Sequence, residues 1–136
     1  SARRITQQEA LDLLRAEHTR GHVHTAHFKD VCNNQFYALC NCCPCCCGGL
    51  EAMRRGVPMV AASGYVAQVN EEACLGCGDC EAACPFGAIT VSYAATVNWE
   101  KCMGCGVCVG QCQNGALTLI PDARKGIPLD VRQIGV

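Results

Sequence analysis

The chain reads Cys74-Leu-Gly-Cys77-Gly-Asp-Cys80-Glu-Ala-Ala-Cys84-Pro85, and a little later Cys102-Met-Gly-Cys105-Gly-Val-Cys108-Val-Gly-Gln-Cys112. In each stretch three cysteines are separated by two residues, and a fourth follows after three more. This C-x2-C-x2-C-x3-C spacing is typical of segments that hold cubane iron–sulfur clusters. One such run is compatible with chance or with a zinc site. Two runs in tandem indicate a pair of clusters.

The spacing also predicts which cysteines share a cluster. A [4Fe–4S] cube has four irons, and each takes one thiolate. Three cysteines spaced by two residues can hold three corners of one cube, while the glycines between them let the backbone turn tightly. The fourth cysteine is too distant to complete the same cube and crosses to the other one. We therefore expect two ligand sets, namely Cys74, Cys77, Cys80 and Cys112, and Cys102, Cys105, Cys108 and Cys84.

The composition favours a fold held together by metal. Of the 136 residues 50% are hydrophobic, but this fraction includes 15 cysteines, and only 5% are aromatic. Small domains with thin cores depend on disulfides or metals. The odd cysteine count and the directly adjacent cysteines oppose a disulfide framework. Reduced thiols fit better, so we expect a reducing, cytoplasmic setting.

Several function classes find no support in the sequence. The net charge is −1, so no basic field argues for nucleic acid or an anionic membrane. No apolar run reaches the length of a membrane span, and no signal segment is visible. Nucleotide-binding loops, a Ser/His/Asp arrangement and flavin motifs are missing as well. We therefore predict no catalytic residues.

The N-terminal region is predicted to begin with a helix followed by a strand. Thr6-Gln-Gln-Glu9 is a capping box, and it predicts a helix over about residues 6–19 that ends at Gly21. Alternation over residues 23–28 predicts a short strand with His24 and His27 on opposite faces. His24 is the histidine that we consider as a cluster ligand or hydrogen-bond donor, although an ordinary surface role is the more common one for such a residue.

A dense group of cysteines at residues 40–47, called here the cysteine block, is the unusual feature of the chain. Pro44 and Gly48–Gly49 predict a loop at this point. One reading is a third iron–sulfur cluster on Cys40, Cys43 and Cys46, with a fourth ligand from Cys47, Cys32 or His24. An overlapping frame uses Cys42, Cys45 and Cys47. Two other readings remain open, a Zn²⁺ or Cu(I) thiolate site and a set of buried thiols that bind no metal.

An internal repeat relates the two motifs at an offset of 28 residues. Val69-Asn70 corresponds to Val97-Asn98, and residues 87–91 correspond to 115–119. A strand over residues 65–69 leads into the first repeat. Each half is predicted as strand, cluster loop, short helix and strand, which gives two β-hairpins related by a pseudo-two-fold axis. Pro85-Phe86 is replaced by Gln113-Asn114 in the second half, but the cysteines are unaffected.

Residues 66–120 resemble the bacterial two-cluster [4Fe–4S] ferredoxins on both motifs. The segment Cys40-Asn-Cys42-Cys43-Pro-Cys45-Cys46-Cys47 resembles a CNCC-x-CCC block in a less characterised group of ferredoxin-domain proteins. The resemblance implies an α+β fold, with a ferredoxin-like dicluster domain at 65–121. An N-terminal helical, cysteine-rich extension would occupy 1–64, and an extended tail that could lie on a partner would occupy 122–136. It also implies a redox module of anaerobic metabolism.

Three functions are compatible with these motifs. The preferred one is an electron-transfer protein or subunit with two [4Fe–4S] clusters and a third cluster, acting with a redox partner or a larger oxidoreductase complex. The second is an enzyme whose cysteine block holds a substrate-binding cluster. The third is a Zn²⁺ or Cu(I) thiolate module fused to a ferredoxin. Acidic residues near the first motif, such as Glu71, Glu72 and Asp79, are expected to lower the cluster potential.

Overall fold

A computed structural model describes residues 2–29 and 35–133 as a small mixture of helices and strands. The helices are α1 Gln7–Thr19, α2 Gly48–Arg54, α3 Asp79–Ala83 and α4 Val107–Gln111. The strands are β1 Val23–Lys29, β2 Gln35–Cys42, β3 Tyr65–Val69, β4 Ile89–Val91, β5 Ala95–Val97 and β6 Leu117–Pro121. Two 3-10 helices follow at Ala123–Lys125 and Val131–Gln133. None of the helices in these ranges combines the length and hydropathy that a bilayer crossing requires.

Helix α1 forms where the capping box predicts it. The Thr6 hydroxyl accepts a hydrogen bond from the Glu9 N–H, and the Glu9 carboxylate accepts one from the Thr6 N–H at 2.7 Å. Both bonds satisfy N–H groups that a helix start would otherwise leave unpaired. Gly21, at φ 81°, then turns the chain into β1. The prediction of this helix and of the strand that follows it is confirmed.

The cysteine block was predicted as a loop, and that prediction is wrong for its first part. Cys40 and Cys42 lie on β2, which pairs antiparallel with β1 in the register Thr25 with Cys40 and Val23 with Cys42. Hydrogen bonding to β1 extends the strand as far as Cys42, and Cys43 to Cys47 then form the turn. The predicted candidate Cys32 lies outside the described residues.

Helix α2 begins at Gly48, the first residue of the glycine pair that was predicted to lie in a loop. The Glu51 N–H donates to the Cys47 carbonyl at 3.0 Å, so Gly48 and Gly49 form the first helical turn. Leu50 is 1% exposed and anchors this helix. It packs with Val23, Phe86 and Val107 in a group that we call the Leu50 cluster.

The strands of residues 65–121, called here the second region or dicluster region, pair differently from the prediction. Strands β4 and β5 form a hairpin, with Ile89 opposite Val97. Strands β3 and β6 pair antiparallel from Tyr65–Pro121 to Val69–Leu117, although almost the whole region separates them in sequence. One hairpin and one sheet that joins the first and last strands therefore replace the two expected hairpins. The expected mixture of short strands and helices is correct.

The core of the second region is made mostly of small residues. Val66, Ala67, Ile89 and Leu117 are buried together with Cys80, Cys102 and Cys108. Across the described residues, only Leu50, Val107 and Pro85 are large side chains with less than 2% of their surface exposed. Cysteines thus occupy positions at the centre of the fold that larger apolar side chains would fill in an ordinary core.

The first residues of the C-terminal segment, which was predicted as an extended tail, contact the start of the second motif. The Trp99 indole N–H donates to the Asp122 carboxylate at 2.7 Å, and the Arg124 and Lys125 side chains lie over the Trp99 ring. Hydrogen bonds from Arg124 and Trp99 hold the pKa of Asp122 well below its usual range. These contacts stabilise the 3-10 helix after β6 against the start of the second motif.

Candidate metal centres

Two cavities of similar size lie in the second region, and each is lined by four cysteines. The first encloses about 330 Å³. The second encloses about 320 Å³. Each takes three cysteines from one motif and the fourth from the other. The first set is Cys74, Cys77, Cys80 and Cys112. The second set is Cys84, Cys102, Cys105 and Cys108. These are the same two groups that the spacing predicts.

Glycines bring the cysteine loops close to neighbouring backbone. Gly76 has φ 64°, and a Cβ atom there would lie 2.5 Å from the Tyr93 carbonyl oxygen. Gly104, at φ 65°, is held against Ser63 and the Tyr65 carbonyl in the same way. Both the left-handed backbone and the lack of space require glycine. Gly78 and Gly106 also have positive φ and start helices α3 and α4.

Backbone N–H groups point at sulfur in matched pairs. Ala88 donates to Cys84 Sγ and Ala116 donates to Cys112 Sγ, both at 3.3 Å.

Two further bonds cross between the halves. They join the Ala67 N–H to Cys102 Sγ at 3.5 Å and the Ala95 N–H to Cys74 Sγ at 3.4 Å. Corresponding donors and acceptors in these pairs are 28 residues apart, as in the sequence repeat. Such N–H donors stabilise negative charge on thiolate sulfur.

The buried thiols would carry unfavourable charge without a cation. Burial, with smaller contributions from neighbouring thiolates, raises the pKa of Cys105 to about 11 and the pKa of Cys108 to about 12. Burial also raises the pKa of Cys80. Metal ligation requires the thiolate form, and the positive irons of a cluster supply the charge that compensates it. The donor set, four cysteines that line one cavity with N–H groups donating to their sulfurs, therefore fits a [4Fe–4S] cluster in each cavity.

The cysteine block divides into two groups that follow neither predicted frame. The sulfurs of Cys43, Cys45 and Cys46 all lie within 4.8 Å of one another, and a disulfide joins Cys43 to Cys45. Cys45 and Cys46 are exposed. Both predicted frames place Cys43 and Cys45 in different sets, whereas the turn after β2 brings them together.

Cys42 and Cys47 form the second group, on the inner side of the block. Their side chains are hydrogen-bonded to each other. The nearby backbone N–H groups of Leu50 and Gly49 lower the pKa of the Cys47 thiol, whereas burial raises the pKa of Cys42. The Thr25 hydroxyl lies 3.6 Å from Cys42 Sγ.

His24, which was considered as a ligand, has other polar contacts. Its Nδ1 lies 2.6 Å from the Asn41 side-chain oxygen, and its ring stacks on His18 with 6.2 Å between ring centroids. His27 Nε2 contacts the Thr25 hydroxyl at 3.1 Å.

Sequence reasoning did not identify Arg54 as part of this region. Its guanidinium contacts carbonyls that belong to two different cysteine loops. No motif signals such a residue, because its role depends on packing between distant segments.

Comparison with known families agrees with the two cavities. A family model described as a 4Fe-4S binding domain matches residues 66–89, and a second model of the same description matches residues 95–118. Two 4Fe–4S ferredoxin-type domains therefore lie side by side in this chain. Together they support a dicluster ferredoxin domain, and neither match reaches the N-terminal extension with its cysteine block. No curated protein matches the chain.

Proposed function

We propose that this chain is an electron-transfer iron–sulfur protein or subunit that relays low-potential electrons to or from a redox partner or a larger oxidoreductase complex. One cluster would be held by Cys74, Cys77, Cys80 and Cys112, and the other by Cys84, Cys102, Cys105 and Cys108. The observation that carries this proposal is the pair of similar cavities, each lined by four cysteines from both motifs. When bound, such clusters exchange single electrons at potentials that the protein adjusts.

The surroundings of the sulfurs would adjust those potentials in opposite directions. The N–H donors of Ala67, Ala88, Ala95 and Ala116 stabilise the more negative, reduced state, and so raise the potential. Exposed carboxylates at Glu72 and Asp79 lie in or beside the first motif, and Asp79 lines the first cavity, so they would lower the potential of the first set. The matched contacts at an offset of 28 residues also favour a pseudo-two-fold relation between the halves of the domain.

A third iron–sulfur cluster in the cysteine block completes the proposal. Cys43, Cys45 and Cys46 converge at the surface, and Cys42, Cys47 and Cys40 lie on the adjacent strand and turn. Closely spaced thiols oxidise readily, and a bound metal protects them. A reducing compartment and anaerobic metabolism suit such a site. In this setting Cys43 and Cys45 would be two free thiols available for ligation.

The test is iron analysis with a reductive titration of protein purified without oxygen. We expect about twelve irons per chain, compared with about eight for two cubes alone, and stepwise one-electron reduction followed by EPR spectroscopy. Reoxidation by a one-electron acceptor should be rapid. A chain with about four irons or fewer, or clusters that no one-electron donor reduces, would contradict the proposal.

A metal-handling module is the second candidate, and the exposure of the Cys43–Cys45–Cys46 group favours it. Three surface thiolates bind Zn²⁺ or Cu(I) well and release it to a competing chelator. Zinc or copper in the block, with iron near eight per chain, would support this function. An open fourth position on iron that binds a small molecule would instead support an enzyme with a substrate-binding cluster.

A further inference from the structure

One side chain joins the cysteine block to the loop that follows Cys84. Arg54, at the end of α2, donates from Nε to the Pro85 carbonyl at 2.8 Å and from Nη2 to the Pro44 carbonyl at 3.4 Å. Pro44 lies between Cys43 and Cys45, and Pro85 directly follows Cys84. A guanidinium has several donors in a fixed plane, so one arginine can hold two carbonyls in a defined relative position.

The Leu50 cluster forms a second bridge between the same two places. Cys42 and Cys47 of the cysteine block pack against it, and so do Cys84 and Cys105 of the second ligand set. Its member Phe86 also lines the second cavity. Close packing of this kind fixes the separation between the sulfurs on its two sides.

The first cavity has no comparable link. Within the described residues, none of its lining side chains belongs to the Leu50 cluster or packs against it, and none contacts Arg54. Helix α1 does approach Gly110, between Cys108 and Cys112, but α1 carries no cysteine. The contacts of Arg54 and the Leu50 cluster therefore join the cysteine block to the second ligand set.

We infer that the metal centre of the cysteine block exchanges electrons directly with the centre held by Cys84, Cys102, Cys105 and Cys108, with Arg54 as the residue that positions the two loops. The inference rests on the proposed function. It gives an order of electron transfer in which the centre of the second set lies between the block centre and the centre of the first set. The centre of the first set is open to a partner, since Cys77 is exposed and Leu75 beside it is 74% exposed.

EPR spectroscopy on the reduced, anaerobically purified chain tests this order through the magnetic interaction between neighbouring centres. Cys77→Ser and Cys105→Ser are a matched pair, because the two cysteines occupy the same position in the two repeats. We expect Cys105→Ser to remove or change the broadening of the cysteine-block signal, and Cys77→Ser to leave that signal as in the unmodified chain. A block signal that responds to Cys77→Ser, to both variants equally or to neither overturns the inference.

Arg54→Met provides an independent measurement, with Arg55→Met as its control on the same helix. Arg55 contacts Glu51 and neither of the two loops. We expect Arg54→Met to keep the iron content while the interaction between the two centres weakens and the potential of the block centre shifts. Arg55→Met should change neither quantity. Equal behaviour of the two variants would contradict the positioning role.

These outcomes separate the inference from the function on which it rests. A third paramagnetic centre that couples to the first ligand set contradicts only the order of the centres. A chain with two paramagnetic centres and no third one contradicts both the inference and the third-cluster part of the proposed function.

Discussion

The dicluster region and the cysteine block contain cysteines at the same C-x2-C-x2-C spacing, yet their backbones use that spacing differently. In the dicluster region a glycine with positive φ follows every first and second cysteine after one or two residues, and a short helix carries the third. In the block, Cys40 and Cys42 lie on a paired strand, and only the later cysteines lie in a turn. The same spacing therefore groups sulfurs in the predicted way in one region and not in the other.

This comparison indicates that cysteine spacing predicts which cysteines lie around one cavity only where the backbone is free to wrap. Gly76 and Gly104 supply the left-handed turns in the dicluster region. A β-strand places alternate side chains on opposite faces and advances more than 3 Å per residue. Cys40 is thereby carried away from Cys43 and Cys46, while the turn at Pro44 brings Cys45 toward them.

Removal of all metal should have the largest effect, and we expect it to unfold the dicluster region. Cysteines occupy the centre of this region, and few large apolar side chains are fully buried. In small domains of this kind the free energy of metal binding is largely the free energy of folding. Calorimetry of the chelator-treated, reduced protein should show no cooperative transition. A retained transition would mean that the apolar contacts alone hold the fold.

Single substitutions in the cysteine block should show whether its metal ligands follow the C-x2-C-x2-C spacing or the observed grouping of sulfurs. We expect Cys45→Ala to remove the iron of the block, about four atoms per chain, because Cys45 belongs to the group of converging sulfurs. Cys40→Ala should keep most of that iron. Iron and protein analysis of both variants measures the difference. If Cys40→Ala is the more damaging change, the C-x2-C-x2-C frame describes the site better than the geometry does.

A smaller difference in stability is expected between alanine substitutions at two glycines with similar φ angles. Gly104 and Gly115 have φ 65° and 62°, but a Cβ atom would overlap Ser63 and Tyr65 at Gly104 and would meet nothing within 4 Å at Gly115. We expect Gly115→Ala to cost about 1–2 kcal/mol from the left-handed backbone. Gly104→Ala should cost clearly more.

The denaturant concentration at which the visible cluster absorbance disappears measures this difference. Equal midpoints for the two variants would show that the cysteine loop does not depend on its close approach to Tyr65.

The parts of the fold that sequence predicts are those fixed by local signals. The capping box at Thr6 and Glu9 and the strand predicted over residues 65–69 give α1 and β3 with almost their observed bounds. Strand β2 was missed because cysteines dominate its end and carry no clear periodicity. The pairing of β3 with β6 was missed because it joins distant segments, which a repeat of strand, loop, helix and strand does not specify.

The candidate sites also divide into a part that local sequence signals predict and a part that depends on packing between distant segments. The two groups of cysteines that line the cavities follow from spacing, since their loops are short and glycine-rich. The grouping of Cys43, Cys45 and Cys46, and the bridge made by Arg54, depend on tertiary packing that no local pattern encodes.

The central claim is that each cluster takes its fourth ligand from the other motif, and EPR spectroscopy of single cysteine variants tests it most directly. We expect Cys74→Ala and Cys112→Ala to alter the same signal, although the two residues are far apart in sequence. Cys84→Ala should alter the other signal, together with Cys102→Ala. If Cys84→Ala and Cys74→Ala alter one common signal and Cys112→Ala alters the other, each motif completes its own cluster and the crossed arrangement is wrong.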